Sequence, residues 1–188
     1  MNSGSRENKL NKITIIVFVF LLIGVWIFYM LWASRIGMRT VLMPSIPEWT
    51  TYLVVGALTG FAFAGRAIIR RSVGKTLEEV INSLLGGFCL GFACSLHIYD
   101  VCVYLLPGDI IHYKSDYEIT FSGPAIGRFS HCEAGLWIKD LNTERQIKLC
   151  TNKSNLYDQQ KQGMNTVWVT AHQNKIGSYI INYTFIYN

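Results

Sequence analysis

The chain has 188 residues, 51% of them hydrophobic and only 15% charged, and its mean hydropathy is +0.26. An ordinary soluble domain carries about 25% charged residues, so this composition excludes a disordered chain, a collagen-like repeat and a basic nucleic-acid tail. The formal net charge of +5 is not a nucleic-acid footprint either: nine Lys and Arg against four Asp and Glu surround the apolar stretches, whereas Asp109 to Asn188 holds eight basic and seven acidic residues. Basic residues beside apolar spans are topology signals, and nucleic acid is not expected as a partner.

Residues 1–12 form a basic tail carrying Arg6, Lys9 and Lys12. Ile13 to Ala33 follows with 21 uncharged residues, roughly 31 Å of helix at 1.5 Å per residue, which matches a hydrocarbon core of about 30 Å. It is longer than a signal-peptide core of about 7 to 15 residues and no small-residue cleavage site follows, so it reads as a retained anchor. A second span is expected over 49–69, with Arg66 close enough to its end to snorkel, and a third over 80–106, closed by Pro107 and Gly108. Gly56 and Gly60 in the second span, and Gly87 and Gly91 in the third, stand at the four-residue spacing that lets helix backbones approach closely in lipid. Packing of the two spans on each other is the first reading; homodimerisation through the same face is the alternative.

Arg6, Lys9, Lys12, Arg66, Arg70, Arg71 and Lys75 lie on one side of these spans, and only Arg35 and Arg39 on the other. Positive residues stay inside, so the tail is expected in the cytoplasm of an inner (plasma) membrane and the segment 107–188 outside it. In a Gram-negative host that side is the periplasm. A two-span chain, with the second stretch in the membrane interface, would instead keep 107–188 in the cytoplasm.

Two features of the third span invite a functional reading. His97 and Asp100 share a helical face, and intramembrane ionisable residues are functional hypotheses by default. The plainer alternative is a polar pair at the membrane edge; a metal site with Cys102 would need further ligands. Cys89, Cys94 and Cys102 lie in the same span, where free cysteine behaves as a small apolar residue.

Cys132 and Cys150 lie in the final segment and are expected to form a structural disulfide on the oxidising side. Ala134 to Lys139 and Arg145 to Cys150 read as a hairpin around the turn Asp140 to Glu144. Leu136, Ile138, Ile147 and Leu149 share its inner face. A strict ladder would leave the two cysteines one residue apart, and a glycine bulge near Gly135 would bring them opposite. A catalytic thiol at Cys132 would need His131, His112 or His172 as base, and His131, adjacent in the strand, points to the other face.

The remaining elements are strands at Tyr117 to Ser122, Thr166 to His172 and Ser178 to Tyr187, and a short helix over Asn152 to Gln162 with a stop at Gly163. Val167, Val169 and Ala171 share one face; Tyr179, Ile181, Tyr183, Phe185 and Tyr187 share another. Three strands, a helix and two strands resemble an OB-type barrel of five strands, the run Gly163 to Val169 with Ile176 to Tyr179 resembling its last two strands. Trp137, Trp168, Tyr179 and Tyr183 are the candidate binding aromatics.

Phosphate-binding loops, nucleophile elbows and zinc-type cysteine pairs do not occur in the sequence, and two glycosylation sequons at Asn152 and Asn182 are uninformative in most bacteria. Neither cofactor nor catalytic residue is expected. The reading is a non-enzymatic multi-pass protein of the lipid bilayer that presents a stapled β-domain to another envelope protein or an incoming toxin, as a complex subunit, regulator or immunity factor. The alternatives are a transporter or channel accessory using His97 and Asp100, and an envelope enzyme.

Overall fold

A computed structural model describes residues 3–69, 77–121, 123–125 and 131–187. Arg70, Arg71 and Lys75 of the basic connection lie outside the described residues, as does Ser122. Among the described residues, five helices and six strands follow in the order α1 Ser3–Gly37, β1 Thr40–Leu42, α2 Glu48–Ile69, α3 Leu77–Ser95, α4 Ile98–Leu105, β2 Asp109–Thr120, β3 Ala134–Lys139, β4 Gln146–Thr151, α5 Lys153–Gln159, β5 Thr166–Gln173 and β6 Gly177–Ile186.

Among the described residues, three stretches are long and apolar enough to cross a membrane: Ile13–Gly37, Glu48–Ile69 and Leu77–Leu105. The third is not one straight helix. It breaks between α3 and α4, where His97 takes a left-handed conformation at φ 63°, a region that non-glycine residues rarely visit. On α2 the buried positions are Tyr52, Gly56, Gly60 and Ala64, and on α3 they are Gly87, Gly91 and Ser95. The two rows face each other. A Cβ on Gly60 would stand 2.8 Å from the Leu84 carbonyl oxygen, and one on Gly91 would overlap the Thr59 side chain. The Thr59 hydroxyl lies 3.0 Å from the Gly87 carbonyl and also faces the Val55 and Gly56 carbonyls of its own helix.

The strands form a single antiparallel sheet in the order β1-β6-β5-β2-β3-β4, curled into a nearly closed barrel. This corrects the expected five strands, because the connection between the first two helices contributes β1, paired with Gly177–Tyr179 of β6. β2 is also longer than expected. Its Asp109–Asp116 half pairs with β5 and its Tyr117–Thr120 end pairs with β3, so one strand turns the corner between two halves of the barrel. The core is built from Leu136, Ile138, Ile147, Leu149, Val167, Val169, Ala171, Ile180 and Phe185, with Tyr113 and Val41 completing it.

Two expectations about register are corrected. The β3–β4 ladder is regular, Gly135 facing Cys150 and Leu136 facing Leu149, so there is no bulge at Gly135. Cys132 meets Cys150 because the chain has already left the ladder, held by backbone bonds from Gly123 N–H to the Cys132 carbonyl and from Cys132 N–H to the Pro124 carbonyl. The irregularity lies instead between β5 and β6, where Thr170 faces Asn182 but Ala171 faces Ile180. The extra residue, Ile181, flips the alternation of β6: Ser178 and Ile180 point inward before it and Phe185 after it. The sequence pattern from Tyr179 to Tyr187 therefore does not lie on one face.

Candidate functional site

Helices and barrel meet at the break between α3 and α4. The His97 ring nitrogen Nδ1 lies 2.9 Å from Asp100 Oδ2, and the pair is covered by the end of α1. A Cβ on Gly37 would come within 2.9 Å of Asp100 Oδ2 and 3.1 Å of His97 Nδ1; glycine is what lets α1 close over them. Asp100 also lines a 270 Å³ cavity with Glu48 of α2, Thr40–Leu42 of β1 and Arg145–Ile147 at the start of β4. Within hydrogen-bond reach of this junction, the Arg145 guanidinium donates to the Leu42 carbonyl at 3.2 Å. The Asn174 amide, from the β5–β6 turn, donates to the Val103 carbonyl at 3.0 Å. The β3–β4 turn is thus tied to β1 at the exit of α1, and the β5–β6 turn is tied directly to α4.

Aromatic rings gather at the same level. Tyr99 and Thr51 share a hydroxyl hydrogen bond of 2.7 Å between α4 and α2. Trp49 and Tyr99 both pack against Tyr52, and Tyr104 stands edge-on to Trp32 and to Tyr179 of the barrel. Aromatic side chains with a polar handle favour the membrane–water boundary. The His97–Asp100 pair lies beside these rings, at the break between α3 and α4 and not within either helix run of α2 or α3.

Inside the barrel, Asp140 is fully buried. Its carboxylate accepts from the Tyr113 hydroxyl at 2.8 Å and from the Thr143 backbone N–H and hydroxyl at 2.9 and 2.8 Å. The Thr143 bonds close the β3–β4 turn, as an Asp side chain does when it replaces a backbone acceptor. Burial, with the Asp140 charge beside it, pushes the Tyr113 phenol well above the usual tyrosine range. This group holds the turn and presents nothing to solvent.

The four candidate aromatics do not converge. Trp137, on the outer face of β3, carries the Lys148 ammonium 5.5 Å from its ring centre and lines a 480 Å³ groove with Lys114, Asp116 and Glu118. Trp168 is exposed on β5 and stacks with His112 at 6.4 Å. Tyr179 packs on Tyr104, and Tyr183 turns inward against Phe185. Cys132 and Cys150 form a disulfide with Cα atoms 5.6 Å apart, which removes the free thiol that a nucleophile at Cys132 would need. Among the described residues no group of three or more His, Cys, Asp and Glu could hold a metal ion, so the reading with His97, Asp100 and Cys102 finds no completed site there. His172 is packed under Gly108 with its buried Nδ1 lacking a hydrogen-bond partner.

Sequence reasoning missed β1, Thr59, and the pairing of Asp140 with Tyr113. Only the Asp at the start of the predicted turn signalled the last of these. The chain matches no family description, no curated protein and no solved structure.

Proposed function

We propose that this is a non-enzymatic protein of the inner (plasma) membrane with three spans, presenting a disulfide-stapled β-barrel outside the membrane to recognise another protein. The observation that carries the reading is β1. The loop between α1 and α2 is a strand of the barrel, and α4 runs directly into β2. The exits of α1 and α4 and the start of α2 therefore stand at one end of the helices, as three crossings require. The excess of basic residues in the N-terminal tail and in the connection between the second and third spans supports a barrel on the outer side, and the disulfide suits an oxidising compartment. From β2 to β6, with α5 between β4 and β5, the order is that of an OB-like barrel, a scaffold whose strands and loops serve many kinds of recognition. The partner is an envelope protein or an incoming toxin; a toxin would make the chain an immunity factor.

The glycine faces of α2 and α3 are occupied by each other, which argues against a homodimer through them. The cavity beside Asp100 keeps a second reading open, an accessory to transport that uses His97 and Asp100. Photo-cross-linkers at Trp137 and Trp168 in cells test the first reading: a specific partner should be trapped, and deletion of the barrel should abolish the phenotype. A phenotype that survives deletion of the barrel but not His97→Ala or Asp100→Asn would replace recognition by the accessory role.

A further inference from the structure

The barrel is open along one line. β6 has ten residues, but β1 covers only Gly177–Tyr179, with one more backbone bond from Ile180 N–H to the Arg39 carbonyl. Beyond that point neither β6 nor the outer edge of β4 has a strand partner among the described residues. By the alternation of the sheet, β4 and β6 run parallel to each other. A strand antiparallel to both would complete an antiparallel barrel, and β1 already does so at one end, where it lies against β4 as well.

Side chains stand in for the missing backbone. The Tyr183 N–H donates to the neighbouring Asn182 Oδ1 at 2.9 Å, and the Arg39 guanidinium donates to the Ile181 carbonyl at 3.3 Å. Both backbone groups point away from β5, into a 450 Å³ cavity that Leu149, Cys150 and Ile180 also line. Among the described residues its charged lining is Arg35 and Arg39, with no carboxylate. Exposed strand edges are templates for pairing with another chain, and adding a strand is a common way to bind an extended peptide.

We propose that this seam, between β4 and the second half of β6, is a strand-addition site for an extended segment of a partner protein, running antiparallel to β6 and carrying an acidic side chain toward Arg35. The inference rests on the reading of the barrel as a recognition domain and names the surface it uses. Main-chain bonds to β6 would replace the Asn182 and Arg39 substitutes, while alternate side chains of the segment would fill the space above Leu149 and Ile180.

The test uses the full chain in nanodiscs of uncharged phosphatidylcholine. The probes are a synthetic six-residue peptide of alternating Val and Thr with one Glu, a twin with Lys in place of Glu, and a twin with alternate amides N-methylated. Amide exchange at Tyr183 should slow about tenfold or more with the Glu peptide, because a β-ladder bond is harder to open than a bond to a side chain. The Lys peptide should bind about tenfold more weakly, the N-methylated twin not at all, and Arg35→Glu should invert the charge preference. Equal binding of the N-methylated twin, no binding of the Glu peptide, or protection confined to Trp137 or Trp168 would each overturn the seam. Concentration-dependent dimers with protection at Lys148 would overturn it in favour of pairing between two β4 edges. Failure of the recognition reading itself is seen elsewhere, in a phenotype that survives deletion of the barrel.

Discussion

The helices and the barrel bury opposite kinds of residue. Between α2 and α3 the hidden positions are, beyond Tyr52 near the barrel end, glycines, an alanine and a serine, while Leu58 and Phe61 are 65% and 67% exposed on the other faces. In the barrel Leu136 and Val169 are fully hidden, and Lys114, Asp116 and Glu118 face outward on β2. Water would drive large side chains inward at about 25 cal/mol per Å² of apolar surface, as in the barrel. Lipid exerts no such drive, and close backbone contact over small residues then decides how helices pair. One chain thus contains two solutions to packing, one of the kind that suits lipid and one of the kind that suits water, and they meet at the level of Tyr104 and Tyr179.

The comparison can be broken from either side. The largest effect is expected inside the barrel. Asp140→Ala strands the Tyr113 hydroxyl and both Thr143 donors and should destabilise the barrel by about 3–5 kcal/mol, read as loss of protease resistance in the barrel while the α2–α3 pair stays intact. Removing the disulfide by Cys132→Ala with Cys150→Ala should cost about 3 kcal/mol by chain entropy, measured as a lower urea midpoint and again confined to the barrel.

On the helix side, Gly60→Leu places side-chain atoms where the Leu84 carbonyl stands. It should separate α2 from α3 at a cost of about 1–3 kcal/mol, seen as a longer distance between spin labels on the two helices. An equally large change that left the helix pair closed would mean the glycine faces are not what joins them.

The smallest effect concerns pH. Folding raises the Tyr113 phenol, chiefly through burial and then through the Asp140 charge. The stability from its neutral form is fully present below the ordinary tyrosine value near 10 and is lost as pH rises above it. Tyr113→Phe should cost about 1 kcal/mol at neutral pH and flatten the alkaline slope of barrel unfolding; an unchanged slope would assign that slope to another group.

The parts of this architecture that were legible in the sequence are those with long or paired signals. The three apolar runs, the alternation of Leu136 and Ile138 with Ile147 and Leu149, the pair Cys132 and Cys150, and the short helix before Gly163 all carry more than one cue. β1 carried none: its three residues, Thr40–Leu42, are too few to display a period. The first half of β2 did alternate, with Ile111, Tyr113 and Ser115 inward. Its outward His112, Lys114 and Asp116 disguised it as a loop. The break at His97 has neither Pro nor Gly to announce it, and packing against Gly37 holds a conformation that local propensity would not choose. In β6 the run of aromatics looked like one face because a bulge leaves alternation intact in sequence while reversing it in space. The four candidate aromatics were legible as residues, but not that they would be spread over separate surfaces.

The central claim is that the barrel is an oxidised domain on the outside of the membrane. It is tested most directly by thiol labelling of intact cells carrying the chain with Cys89, Cys94 and Cys102 replaced by Ala. Cys132 and Cys150 should resist every maleimide until a membrane-impermeant reductant is added, and then react with an impermeant one. Thiols that react without reduction, and only with a permeant reagent, would put the barrel in the cytoplasm and contradict the three-span account.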